Sequence, residues 1–272
     1  MRKLGIYAGC GFSTDSETQI KIASQVGFDC VFIGFGNRTP DEECPKMASS
    51  YAKVAANCGI EIETIHSKFG DINSMWEGNA EAYIKSTNLC VDIAKENGIK
   101  TVVIHETIGA VAPPIHKEGL KNFEKIVSHA EKQGINLAFE NLEFPRFLRA
   151  VLDEFKSPHV GFCYDCGHEW CYTPGVDYLP MYGDRLMCTH IHDNFGQNGN
   201  NIMTFDDDNH MIPFDGEIDF KRVAKMIKQT GKNVPLTLEL SNKMPVYSEV
   251  LCFDFIKRAY ASAVKLRDMI DG

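Results

Sequence analysis

The order of apolar and amphipathic stretches in this 272-residue chain predicts an α/β fold. Short apolar runs alternate with helical patterns from end to end, strands first, as repeated βα units do. Eight such units can be counted, and near-regular units in a chain of this length favour a single (β/α)8 barrel over a doubly wound sheet. Several of the apolar runs also stop abruptly on His, Asp or Glu, which is how a buried parallel strand ends in a site.

Lys3 to Cys10 reads as the first strand, and a helix from Ser16 to Val26 follows with Gly27 as its stop. Cys30 to Phe35 is the second, leading through Asn37-Arg38-Thr39-Pro40 into a helix that ends near Cys58-Gly59. Glu61 to His66 precedes a longer connection and a helix from about Asn79 to Asn97-Gly98. Thr101 to His105 is followed by a Pro113-Pro114 loop and a helix from Lys117 to Gln133-Gly134. Asn136 to Glu140 leads to a short helix around Arg146 to Phe155. The sixth strand opens Val160-Gly-Phe-Cys-Tyr-Asp165-Cys-Gly-His168, and Asp177 to Gly183 is a helical fragment behind it. Leu186 to His190 is the seventh, with the longest connection, Ile191 to about Glu217, which is expected to carry function. Phe220, Val223, Ala224 and Ile227 form a helical stripe behind Asp219 as N-cap. Val234 to Glu239 is the eighth strand, and Ser248 to Met269 closes the ring. No linker argues for a second domain, so residues 1–272 are expected to form one TIM-barrel domain.

The composition, 44% hydrophobic and 24% charged, is that of a globular protein with a large core. A net charge of -9 counts against nucleic acid or an anionic membrane as partner. The N-terminus runs straight into a strand pattern, and no apolar run is long enough for a transmembrane span. Ten Cys without a secretory signal imply reduced thiols and a cytoplasmic location. Cys163 and Cys166 make a CxxC with no second one to complete a zinc set, and most of the cysteines sit in apolar runs as small hydrophobes.

The strands end on His66, His105, Glu140, Asp165 with His168, His190-Ile-His192-Asp193-Asn194, and Glu239, while Asp208-Asn209-His210 lies in the long seventh loop. A barrel brings its C-terminal strand ends onto one face. His66, His105, His168, His190 and His210 would then meet Glu140, Asp165, Asp208 and Glu239. Four carboxylates in a low-dielectric mouth repel one another unless divalent cations sit among them. No Lys or Arg is similarly placed to pair with Glu140 or Glu239. His116, His129 and His159 fall in helical or loop stretches and are assigned to the surface; His192, taken alone, reads as a structural histidine.

These residues resemble the xylose isomerase-like TIM-barrel superfamily, which holds sugar isomerases and epimerases and the endonuclease IV-type AP endonucleases. The resemblance covers essentially the whole chain and is most specific at Phe139-Glu140-Asn141, Asp165-Cys-Gly-His168, His190-Ile-His-Asp193-Asn194, Asp208-Asn-His210 followed by Pro213 and Gly216-Glu-Ile-Asp219, and Leu238-Glu239. In the isomerase and epimerase branch it implies one divalent ion on Glu140, Asp165, His190 and Glu239, His190 being taken over His192 on the His-x-x-Asp pattern. In the endonuclease IV branch it implies three zinc ions that also use His66, His105, His168, Asp208 and His210. All nine positions are present, so ligand identity does not choose between the branches.

For the isomerase reading, an ion would act as a Lewis acid on a sugar's carbonyl and neighbouring hydroxyl, stabilising an enediolate. The resemblance makes Glu140 and Glu239 the acid-base pair, with His168 and His192 on hydroxyls and Glu143 as a spare acid. Trp170, Phe195, Trp76 and Phe69, all in top-face loops, would wall the pocket. One departure is that ketose epimerases carry an Arg six residues after the His ligand, where this chain has Gly196. For the endonuclease reading, the largest top-face loop holds no Lys or Arg, and Asp206, Asp207 and Asp208 would repel a phosphate backbone. The expected function is therefore a sugar or sugar-phosphate isomerase or epimerase acting on a small-molecule substrate. The alternatives are an AP endonuclease, another metal-assisted lyase or dehydratase on small hydroxylated acids, and a non-catalytic sugar-binding module. Five imidazoles favour zinc, while the carboxylates also suit manganese or magnesium. Relatives of this kind often assemble, so a homo-oligomer is the expectation.

Overall fold

A computed structural model describes residues 1–197 and 205–272 of the chain. The strands are β1 (Leu4–Tyr7), β2 (Cys30–Gly34), β3 (Glu61–His66), β4 (Thr101–Ile104), β5 (Asn136–Glu140), β6 (Val160–Asp165), β7 (Leu186–His190) and β8 (Leu236–Leu238). They pair in parallel in the order β7-β6-β5-β4-β3-β2-β1-β8. Closure between β7 and β8 falls just beyond β7: Ile191 N–H donates to Thr237 O at 2.9 Å, and Glu239 N–H donates to Ile191 O at 3.1 Å. The helices between the strands are α1 (Ser16–Val26), α2 (Cys44–Cys58), α3 (Ser74–Glu77), α4 (Glu81–Glu96), α5 (Lys117–Gln133), α6 (Pro145–Glu154), α7 (Cys166–Cys171), α8 (Tyr178–Tyr182), α9 (Phe220–Gln229) and α10 (Cys252–Asp271). The result is a (β/α)8 TIM barrel. Among the described residues no helix is long and apolar enough to cross a membrane.

Local chemistry accounts for the element ends. The Asp15 carboxylate accepts the Thr18 N–H at 2.9 Å and starts α1; Gly27, at φ 111, stops it in a conformation that side chains disfavour. Asp219 caps α9 as its spacing predicts, accepting from Lys221 and Arg222 N–H. β1 is shorter than the expected Lys3 to Cys10, and α3 is not among the expected elements; three further differences have a local cause. β8 is short because Pro235 has no N–H to give a ladder. The last helix starts at Cys252 rather than Ser248, since Pro245–Tyr247 forms a 3-10 turn. β6 turns directly into α7, because the Asp165 carboxylate accepts the His168 N–H at 2.7 Å and nucleates a helix at the strand's end.

Side chains alternate along each strand, so the barrel's interior takes every second residue. Val103, Ala138, Cys163 and Cys188 form one fully buried inner cluster. Cys163 thus serves as a small interior residue, its Sγ within 4.8 Å of donor atoms of Glu140 and His190, while Cys166 Sγ donates to His192 O at 3.3 Å, so the two cysteines of the CxxC have different surroundings. Two positions further along the same inner faces stand His105, Glu140, Asp165 and His190. Trp76 corrects an expectation: it lies in α3, fully buried against Phe123 and Phe147, with its indole N–H on Glu106 O at 2.6 Å. It belongs to the core, where a large aromatic ring buries most area.

Candidate functional site

The nine strand-end and loop residues come together with His192 at the C-terminal mouth in groups that adjoin one another. Glu140, Asp165, His190 and Glu239 form the centre; His66, His105 and Glu140 lie to one side; His168, His192, Asp208 and His210 lie to the other. Within each group the donor atoms all lie within 4.8 Å of one another. A tetrahedral ion with bonds near 2.1 Å spaces its donors about 3.4 Å apart, so a small inward movement suffices for coordination. Glu140 is shared: one oxygen sits 3.3 Å from His66 Nε2 and 3.1 Å from His105 Nε2, the other 2.6 Å from His190 Nδ1. His190 Nδ1 also lies 3.2 Å from Glu239 Oε2, which ties the two glutamates to one imidazole.

Hydrogen bonds behind the rings test whether these donors suit a cation. His66 Nδ1–H donates to Ser67 O at 2.7 Å, His168 Nδ1–H to Asn141 O at 3.1 Å and His210 Nδ1–H to Glu239 O at 3.0 Å. A carbonyl only accepts, so each Nδ1 carries the proton, and in the neutral ring Nε2 is a bare lone pair. Those lone pairs point at carboxylates: Glu140 for His66, Asp208 Oδ2 for His168 and His210 at 3.2 and 2.9 Å. Lone pair against anion is repulsive unless a cation lies between, and a carbonyl behind a ligating imidazole is the usual support of a metal site. Asp165 Oδ2, Asp208 Oδ1, His190 Nε2 and both nitrogens of His192 are also buried without a partner. The donor set therefore fits divalent metal.

Without an ion the charges are balanced by protons. Burial pushes Glu140 up, but His190 and the imidazoles of His105 and His66 outweigh it and hold the carboxyl well below its ordinary value. Glu239, partly buried, is pushed up by desolvation but held at about 2 mainly by His190. Burial would lower His210, yet Asp208 raises it to about 10, whereas His105 is brought down to about 4 by burial first. Protons that gather on such imidazoles are displaced when a metal binds.

Above the groups lies a cavity of about 170 Å³ walled by His66, Phe69, His105, Glu140, His168 and Glu239, among others. It adjoins a wider mouth of about 390 Å³ lined by Tyr7, Phe32, Asn37, Ser241 and Lys243 and sharing His66, Phe69, His210 and Glu239. Phe69, expected on the wall, is there and stacks on His105 at 4.6 Å. Glu143 also faces the cavity, with Oε1 accepting the Gly109 N–H at 3.0 Å and Oε2 buried and unpartnered. Sequence reasoning missed Tyr172, whose hydroxyl lies 3.3 Å from Asp208 and whose ring stacks on His168 at 5.0 Å. Asn141, quoted in the Phe139-Glu140-Asn141 motif but given no role, exchanges amide hydrogen bonds with the Asp165 backbone at 2.7 and 2.8 Å and locks β5 to β6. Its position directly after Glu140 was the available signal.

Two expected substrate contacts are corrected. His192 is 0% exposed and lies beneath the cavity, between Asp165 and Asp208, so it reaches no substrate there. Trp170 packs on the core and against Gly196 instead of lining the cavity. Gly196 has φ 74, and a Cβ there would sit 2.8 Å from Trp170 Nε1, so an arginine at this position would be strained. Phe195 is half exposed and off the wall; His116, His129 and His159 lie away from the site. Part of the seventh loop on which the sequence argument drew, residues 198–204, lies outside the described residues.

Fold and site together define a (β/α)8 barrel whose C-terminal mouth is lined by imidazole and carboxylate donors. The chain belongs to the xylose isomerase-like TIM barrel family, whose model matches residues 20–254. An uncharacterised protein of Sinorhizobium fredii is 30% identical over 194 residues, 66% of this chain; the chain spans 58% of that relative's length. Among solved structures, a D-tagatose 3-epimerase-like protein superposes with a TM-score of 0.71 at 21% identity, over 99% of this chain and 97% of that one. A D-psicose 3-epimerase crystallised in the presence of D-fructose gives 0.75 at 16% identity, over 99% and 100%.

Proposed function

We propose that the protein is a metal-dependent sugar isomerase or epimerase, with Glu140 and Glu239 as its acid-base pair. One observation carries the reading: two carboxylates, Glu140 fully buried and Glu239 partly so, share the His190 imidazole and border the same small cavity. A divalent ion held by Glu140, Asp165, His190 and Glu239 would supply Lewis-acid charge to a carbonyl and its neighbouring hydroxyl. Glutamates held well below their ordinary pKa are ionised at neutral pH, the state a general base needs. One takes a proton from the carbon beside the carbonyl; the other, protonated from solvent or by a substrate hydroxyl before that point, gives its proton to the same or the adjacent carbon, and the first releases its own to solvent. Glu143 Oε2, with no protein partner, is placed to take a substrate hydroxyl, and Phe69 and Ile108 exclude water from the reacting carbon. The 3-epimerases that share the fold support a ketose substrate.

The three ligand groups are also what a trinuclear phosphoesterase would use. Among the described residues, however, Lys243 is the single cation lining the cavity and mouth, against the row of bases that a DNA backbone requires. The test is incubation of the metal-loaded protein in deuterium oxide with a panel of ketoses and aldoses, read by proton NMR. Deuterium entering at the carbon beside the carbonyl, and lost in Glu140→Gln and Glu239→Gln, is expected. No exchange with any sugar at full metal content, or nicking of an abasic duplex, would overturn the reading.

A further inference from the structure

We infer that the wider mouth is an anion subsite: the substrate is a sugar carrying a phosphate or carboxylate at the end away from its carbonyl, and Lys243 holds that group. The inference rests on the isomerase reading above and adds the substrate's class to it. The reaction cavity holds about 170 Å³ and adjoins a mouth of about 390 Å³, with His66, Phe69, His210 and Glu239 walling both. A sugar whose carbonyl end lies over the ligand groups therefore has the mouth for its other end.

Charge divides the two spaces. Glu140, Glu143, Asp208 and Glu239 line the cavity, whereas in the mouth Glu239 is the one carboxylate among the described residues, and His190 engages it at 3.2 Å. Lys243 is the mouth's one cation and pairs with no carboxylate among the described residues. Lys68, on the loop after β3, is by contrast held by Asp41 and the Thr39 carbonyl. With no acid to neutralise it, Lys243 gives the mouth a positive charge that an anionic group can occupy.

The backbone fixes this charge relative to the reacting groups. Lys243 follows Glu239 by four residues, and the segment between them is pinned on two sides: Ser241 N–H donates to His210 O at 2.9 Å, and Asn242 N–H donates to Cys10 O at 2.9 Å. Only the flexible stem of the lysine is left to adjust. Two neutral donors stand in the same wall. Ser241 Oγ accepts the Lys243 N–H at 3.4 Å, and its own proton has no acceptor among the described residues. Asn37 Oδ1 accepts both the Phe69 and Gly70 N–H at 3.0 Å, which sets the amide's orientation and leaves Nδ2 with two protons to give. Gly9, Gly34 and Gly36 add only backbone to the lining, which leaves room for a group the size of phosphate. An ammonium with hydroxyl and amide donors beside it is the chemistry that binds a phosphate or carboxylate oxygen.

The test is the deuterium-exchange assay on matched sets: a ketopentose or ketohexose, its terminal phosphate ester, and the keto acid with a carboxylate in place of the terminal alcohol. Metal-loaded wild type is expected to exchange an anionic member with a kcat/KM at least ~10-fold above that of its neutral partner. Whether phosphate or carboxylate gives the larger ratio names the group. In Lys243→Gln the ratio of anionic to neutral substrate is expected to fall toward one, chiefly through KM for the anionic member, and Lys243→Arg, which keeps the charge, is expected to retain most of it. Neutral sugars exchanged as well as their anionic partners, or a ratio undiminished in Lys243→Gln, overturn the subsite and leave the isomerase reading standing. No exchange with any member at full metal content removes that reading and the subsite with it.

Discussion

Asp193 shows how a single buried carboxylate can build a loop. Its two oxygens accept the backbone N–H groups of Asn194, Phe214, Gly216 and Ile218, all within 3.0 Å. Asp193→Asn places an amide N–H₂ against some of those donors and strands them, which is expected to cost roughly 2 kcal/mol or more, read as the shift in a urea unfolding midpoint. A matching steric case is Gly167, where an added Cβ meets the His192 ring at 1.8 Å. Gly167→Ala is expected to destabilise by about 2 kcal/mol or more through overpacking, read in the same urea unfolding experiment. A variant as stable as wild type would show that the ring has freedom to move.

At the scale of elements, the strands that aim the ligands also bury an acid that serves no site. Glu63 of β3 accepts from Thr237 Oγ1 of β8 and from Cys30 Sγ of β2, while Oε1 has no partner. Burial, the leading cause, pushes its carboxyl up to about 6 against the opposing pull of Thr237 and His190. A carboxyl raised on folding is penalised only when ionised. The cost is absent below the unfolded value near pH 4.5, grows between there and about 6, and is complete above. Glu63→Gln is therefore expected to stabilise the protein by about 1 kcal/mol at pH 7 to 8, allowing for partial exposure, and by nothing at pH 4. Thermal melts at the two pH values check it; an equal gain at both would mean that ionisation is not the cause.

For the whole molecule, the proposed function makes the ions ligands of the folded state. Metal held by the assembled mouth would find no such site in the unfolded chain, so at about 100 times its Kd each ion would add roughly 2.7 kcal/mol. Chelation is expected to lower the melting temperature measurably, and returning zinc or manganese to restore it. Because the imidazoles must lose protons to coordinate, affinity should fall as pH drops, and uptake at pH 7 should release protons. Calorimetry in two buffers of different ionisation enthalpy reads that release directly; identical heats would contradict a histidine-rich site.

Much of this architecture was legible in the chain. The two periods of hydrophobicity marked all eight strands, and strand-end chemistry picked out His66, His105, Glu140, Asp165, His190 and Glu239, because a polar group ending an apolar run has few reasons to be there. Asp208 and His210 were found despite lying in an irregular loop, because the longest connection after a strand lies on the same face as the strand ends, and not through periodicity. What tertiary structure alone decided is depth and direction. Trp76 and His192 read as pocket residues but lie under it, and Trp170 faces Gly196. Tyr172 reaches the site only because an aspartate at the end of β6 starts a helix on the spot. Local sequence sets which stretches are strand or helix and which side chains carry charge, since those follow from nearest-neighbour sterics and solvation. Which nitrogen meets which oxygen depends on contacts between residues far apart in the chain, 74 positions for His66 and Glu140, and only the closed barrel brings them together.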